Sequence, residues 1–260
     1  MKTQECGALA ALCAFAMAGA WTVSAAAQMN EVKEKPRMYT YVSDWSMPRA
    51  RWADMDKQAA VNARIFEKAV ASGGLVGYGE DVNLVHQPDG ETHDTFWTAM
   101  SMAGLLGVLD ELHKTGASTA PILASATKHS DQVFVSRFYN WKSGSVKDGY
   151  THGASYKLKA DAPDDAVETL SKNLIVPLLE KMLADGTVAE YEVDQEAIHT
   201  QAPGTFWIFY ITPTAEGLDK VDAALGASLK EHPLAGPAFG SMVDFTAHHD
   251  ELARTNATYK

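Results

Sequence analysis

Cysteine is almost missing from this chain. Two occur in 260 residues, Cys6 and Cys13, and both fall in an N-terminal stretch that reads as a cleavable leader. What remains has no thiol, so no disulfide braces it and its core alone must hold it together. Clustered basic residues are also missing: 22 Lys and Arg stand against 33 Asp and Glu, a formal charge of −11. Neutralising nucleic-acid phosphates needs such clusters, so no nucleic-acid partner is expected. Reaction motifs are the third absence. No Gly-x-Ser-x-Gly elbow, phosphate-cradling glycine loop, HExxH, HxxxH or CxxCH spacing occurs, so neither a metal nor a cofactor is expected from local pattern.

The leader itself is legible. Lys2 gives a thin positive start, Ala8 to Ala20 an apolar run, and Val23 to Ala27 small residues for cleavage after Ala25 or Ala27. That is a secretory signal peptide over 1–27, too short for a comfortable membrane span. It predicts a secreted or periplasmic protein with no stable membrane insertion after cleavage. About 230 residues then remain, enough for one large domain or two small ones.

Those residues carry one stretch twice. Tyr78, Asp81 and His86 recur as Tyr191, Asp194 and His199, each 113 positions later, and Glu67-Lys68 recurs as Glu180-Lys181. Thr95-Phe96-Trp97 recurs as Thr205-Phe206-Trp207 at an offset of 110, which implies a second hairpin turn three residues shorter. Gly104-Leu105 and Val108 return as Gly217-Leu218 and Val221.

In order, Met38 to Trp45 alternates as a strand, and Trp52 to Val70 carries apolar residues at helical spacing up to Gly73-Gly74. Leu75 to His86 reads as a second strand, Gln87 to Gly90 as a turn, Asp94 to Ser101 as a third strand and Met102 to Lys114 as a helix. A fourth strand is placed at Ile122 to Thr127. The second half then starts at Val133 to Trp141, matching Trp141 to Trp45 at a spacing of 96. That match leaves Lys142 to Asp164 as an insertion outside the common core. Val167 to Met182 follows as a helix kinked at Pro177. Thr214 opens the last helix, Phe239 to Thr246 is the last strand, and Glu251 to Lys260 is a tail.

Strand, helix, strand, strand, helix, strand is a ferredoxin-like βαββαβ unit. Two of them, over 28–128 and 129–260, resemble the dimeric α+β-barrel superfamily in fused, pseudo-twofold form. The resemblance implies an α+β fold, a cavity between two sheets, and a chain that is a pseudodimer while remaining a monomer. The superfamily includes cofactor-free monooxygenases, chlorite-dismutase-like haem proteins and small stress-response proteins, so the fold alone does not choose an activity.

Strand alternation assigns the faces. Met38, Val42, Phe134 and Phe138 suit the helix side. The cavity is then lined by Tyr41, Trp45, Asp81, Asn83, Arg137, Tyr139, Trp141, Asp194 and Glu196, an aromatic-walled set with one arginine and several acids. Arg137 is expected to pair with Asp81, Asp194 or Glu196, or to anchor an anionic ligand. The reading is a small-molecule-binding protein, the ligand aromatic or polar. Two alternatives stand beside it: a cofactor-independent monooxygenase or isomerase, and a haem protein using His129 or His248.

Overall fold

The computed structural model describes residues 32–86 and 90–260. The expected signal peptide and the Gln87 to Asp89 part of the expected turn lie outside the described residues. Strands β1 (Met38–Ser46), β2 (Gly77–Asn83), β3 (His93–Ala99) and β4 (Lys128–Trp141) are followed by β5 (Gly144–Leu158), β6 (Glu190–Glu196), β7 (Thr205–Thr212) and β8 (Val243–Tyr259). They close into one antiparallel barrel in the order β1-β3-β2-β8-β5-β7-β6-β4, with β4 returning to β1. Helices α1 (Trp52–Ala71) and α2 (Met102–Thr115) belong to the first half of the chain. Helices α3 (Ala166–Leu170), α4 (Val176–Asp185), α5 (Ala215–Glu231) and α6 (Ala235–Met242) belong to the second. This is the dimeric α+β-barrel fold in fused form. Among the described residues no helix is long and apolar enough to cross a membrane.

The apolar stripes of the helices pack on the outside of the barrel. Phe66 on α1 and Leu105 on α2 bury against Tyr41, Tyr78 and Trp97, and Leu179 and Met182 on α4 against Tyr191, Val193 and Phe206. Pro177 is the second residue of α4. The break before it is a π-helical turn over Ser171–Ile175. Gly104 and Gly217 recur because both helices start against backbone: a Cβ would lie 2.6 Å from the Gly74 carbonyl oxygen or 3.1 Å from the Thr187 carbonyl oxygen.

Strand pairing corrects the expected layout in four places. Ile122 to Thr127 is no strand; it contains a 3-10 turn at Leu123–Ser125. The strand that completes the first unit is β4, which pairs with β1 as β8 pairs with β5. The supposed insertion at Lys142 to Asp164 holds β5, a barrel strand that pairs with β7 as β1 pairs with β3. The units therefore meet at the β4–β5 turn and not between 128 and 129. The supposed tail from Glu251 is the greater part of β8, and Phe239 lies in α6.

The hairpins correct the repeat as well. Tyr78 pairs with Trp97, and Tyr191 pairs with Tyr210. Trp97 thus corresponds to Tyr210, 113 apart like the tyrosines (210 − 97 = 191 − 78), and Phe96 to Phe209. The Thr-Phe-Trp match at 110 is a coincidence of sequence. A slip of three is odd, so it puts equivalent names on opposite faces: Phe96 points into the barrel and Phe206 toward the helices.

Candidate binding site

The barrel interior holds a cavity of about 150 Å³. One end is plugged by rings. Tyr139 stacks on Trp141 at 5.8 Å between centroids, and Trp141 on Tyr259 at 6.3 Å. Tyr139 Oη donates to the Pro36 carbonyl at 2.8 Å, and Trp141 Nε1 to the Lys260 carbonyl at 3.0 Å. Above the plug, Phe96, Phe134, Trp207 and Phe209 supply aromatic wall.

Carboxyl groups supply the rest. Asp44, Asp94 and Asp81 stand directly opposite one another on β1, β3 and β2, an arrangement that repels when ionised. Glu190, Glu192 and Asp194 follow on β6 at the two-residue spacing of one strand face. Glu251, Glu91, His249 and Gln132 also line the cavity. Among the described residues no lysine or arginine lines the cavity.

Hydrogen bonds satisfy this interior only in part. Thr40 Oγ1 donates to Glu192 Oε2 at 2.7 Å, and Gln132 Nε2 to Asp44 Oδ2 at 3.1 Å. Lys128 Nζ donates to Glu91 Oε1 at 2.5 Å. Both oxygens of Asp194 and one each of Asp81 and Glu190 are buried with no hydrogen-bond partner. Burial therefore pushes these acids upward. Asp44 and Asp81 reach about 7, and Glu192 about 6 despite the Thr40 bond. Asp94 rises well above its usual value through burial and then the charges of Asp81 and Asp44. Glu190 rises through burial and then Glu192 and Asp194, and Asp194 through burial and then Glu192. Glu91 alone falls, because Lys128 outweighs its burial. At neutral pH much of the lumen is a set of protonated acids, able to donate or to ionise when a cation arrives.

The sequence-expected residues scatter against this site. Asp81, Asn83 and Asp194 line the cavity. Tyr139 and Trp141 belong to the plug. Tyr41 and Trp45 lie on the opposite face of β1: Tyr41 stacks on Trp97 at 4.3 Å beneath the helices, and Trp45 on His129 at 3.7 Å. The inward residues of β1 are Thr40, Val42 and Asp44. The helices took the aromatic face because it buries more apolar area. On β4 a bulge at Arg137 switches the alternation, so Phe134 points inward and Phe138 outward. Arg137 itself is 48% exposed and pairs with Glu34, so the expected pair with a lumen acid does not form. Glu196 caps a turn, accepting from the backbone N–H groups of Thr200 and Gln201 at 3.0 Å. Sequence reading missed Asp44, Asp94, Glu190, Glu192 and Glu251. Their signal was available in Glu190-x-Glu192-x-Asp194, acids at strand period between Tyr191 and Val193.

The histidines do not converge. His199 is exposed, and His86 leans on Trp52 at 5.2 Å. His129 Nε2 is engaged by Ser43 Oγ at 3.1 Å and Asp131 at 3.2 Å, both at the same nitrogen, so no Ser-His-Asp relay exists there. His248 stacks on Tyr156 at 4.4 Å, with Nδ1 on the Ser155 carbonyl and Nε2 on Asp250. Neither offers a free Nε2 to a haem iron, so these residues do not fit that group as placed. Among the described residues no three His, Cys, Asp or Glu side chains form a metal-binding group.

No family model and no curated protein matches the sequence. Solved structures do. The chain is similar to two proteins described as putative monooxygenases. One is from Lactobacillus acidophilus NCFM, with 10% identity, 85% of this chain and 96% of that one covered, and a TM-score of 0.65. The other is from Fusobacterium nucleatum subsp. nucleatum, with 8% identity, 87% and 95% covered, and a TM-score of 0.60. It is also similar to an anthrone oxidase-like protein, with 11% identity, 87% and 94% covered, and a TM-score of 0.52. At these identities the likeness is one of fold.

Proposed function

We propose that the protein is exported and takes up a small molecule in the barrel lumen, acting as a single chain whose eight strands close the cavity unaided. Asp194 carries this reading: a carboxyl 1% exposed, on the cavity wall, with no hydrogen-bond partner for either oxygen. Leaving a buried polar group unmet costs about 1–3 kcal/mol, so an interior built only for stability would satisfy or replace it. A thermal-shift screen over aromatic acids, quinones, neutral aromatics and amines tests it, since a lumen ligand raises the melting temperature with concentration. No rise with any class refutes the reading. Export rests on the N-terminal pattern of charge, apolar run and small residues. N-terminal sequencing of the protein from cell fractions tests it, and an uncleaved cytoplasmic chain refutes it. Light scattering on the purified chain tests the single-chain state.

A cofactor-independent monooxygenase or isomerase is the second reading. Asp44 and Asp81 favour it, because carboxyls held at about 7 in an aromatic-walled cavity are suited to general-base work at neutral pH. Oxygen uptake with phenolic or quinol substrates supports the enzyme. Stoichiometric binding without product supports the binding protein.

A further inference from the structure

Taking the lumen as the binding site, we propose that its ligand is a small organic cation, a protonated amine no larger than about a benzene ring. Six acids, Asp44, Asp81, Asp94, Glu190, Glu192 and Asp194, line a cavity that no lysine or arginine among the described residues lines. Acid clusters alone say little. Here, though, Asp194 is 1% exposed with both oxygens unmatched, and Asp81 and Glu190, each 3% exposed, have one apiece. These oxygens accept hydrogen bonds once ionised. Among the described residues none has a partner in hydrogen-bond geometry, and only the neutral hydroxyls of Ser136 beside Asp194 and of Thr151 and Thr255 beside Asp81 stand near. An ammonium group brings donors and charge together.

The walls choose between a metal ion and an organic cation. A hard metal ion needs several oxygens converging at one point, and no such group of side chains occurs among the described residues. The rings of Phe96, Phe209 and Trp207 line the same cavity, with Phe209 and Trp207 directly beside Glu192 and Asp194 on the neighbouring strand. Ring faces attract desolvated organic cations. A cavity of about 150 Å³ has room for one benzene-sized molecule, far more than a bare ion needs.

Proton linkage gives the inference its signature. Acids raised by burial must lose protons to meet an ammonium, so binding releases protons and strengthens as pH climbs through 6 to 7. The experiment is calorimetric titration of the intact mature chain with benzylamine, 1,4-diaminobutane, benzyl alcohol and calcium chloride, at pH 5.5 and 7.5, in buffers of different ionisation enthalpy. At least one amine will bind about tenfold tighter or more at pH 7.5 than at 5.5, with proton release and with benzyl alcohol much weaker. Asp194→Asn will abolish amine binding while the ligand-free protein melts no lower; if that variant misfolds, Glu192→Gln replaces it. Benzyl alcohol binding as tightly as benzylamine overturns the amine but leaves the lumen reading standing. Calcium binding without amine binding also overturns it. Silence from every probe here and in the wider screen defeats both.

Discussion

The two halves of the barrel share a backbone plan and differ most along one pair of strands. By their pairing with β3 and β7, the inward residues of β2 are Gly77, Gly79, Asp81 and Asn83. Their counterparts on β6 are Glu190, Glu192, Asp194 and Glu196. Only the aspartate is common. The glycines are there because rings lie over them: a Cβ on Gly77 would sit 2.3 Å from the Tyr259 ring, and one on Gly79 2.3 Å from the Phe96 ring. On β6 the same places hold carboxyls. Along this one pair of strands, β2 thus presents ring-covered glycines where β6 presents acids. The asymmetry has a cost, since like charges packed without cations destabilise the fold unless they stay protonated. A duplicated scaffold needs no such cost to stay folded, which is why the difference points to a ligand.

Cutting the chain tests the comparison most severely. A fragment of residues 32–142 keeps β4 beside β1 and has a complete four-stranded sheet; residues 32–128 lack β4. The longer fragment will fold and pair with a second copy through its exposed sheet edges, while the shorter one aggregates. Circular dichroism and light scattering read both. A folded, monomeric 32–128 fragment would return the unit boundary to residue 128.

Making the halves alike is the next largest perturbation. Gly79→Glu copies Glu192 into the first half, drives a Cβ into the Phe96 ring and adds a buried acid. It will cost about 3 kcal/mol or more in urea unfolding. Ready tolerance would mean that Phe96 moves freely and that the aromatic wall is no fixed feature.

Acidity offers a gentler handle. The lumen acids hold protons in the folded state that the unfolded chain, with acids near 4, has already released. Raising the pH from 4 therefore favours unfolding: their contribution is whole below the unfolded value and is lost as pH climbs to the folded values of about 6 to 7 and above. The ligand-free protein will be at least about 3 kcal/mol less stable at pH 8 than at pH 5. Glu192→Gln will flatten part of that slope. Equal stability at both values would show that the lumen is wetter than its burial suggests.

Tyr78 and Tyr191, Glu67 and Glu180, and Gly104 and Gly217 made the duplication and the fold class legible, because packing against helices keeps residue identity in register. The lumen was harder to read. Its inward residues are acids, glycines and threonines, so seeking a cavity among aromatics turned β1 inside out. β5 and the part of β8 from Glu251 read as an insertion and a tail for the same reason: small and polar side chains at strand period, as in Thr151, Gly153 and Ser155, look like loop. The bulge at Arg137 has no local sequence signal. Without it, alternation puts that arginine inside.

Arg137 gives the smallest expected effect and a useful control. It is the extra residue of the bulge between Ser136 and Phe138, and β8 pairs with β2 unbroken through Thr255 and Asn256 at the matching place, so Arg137 breaks the pseudo-twofold, but on the outside of the barrel. The guanidinium is half exposed and its partner Glu34 lies in the segment leading into β1. Surface pairs of this kind hold little stability, because water solvates each charge nearly as well as the partner does. Arg137→Met will leave the melting temperature within about 2 °C, and will leave the affinity for any lumen ligand unchanged. Loss of binding at intact stability would place a ligand anion against Arg137 on the outer face. The acids of β6 would then be a structural asymmetry with no part in recognition.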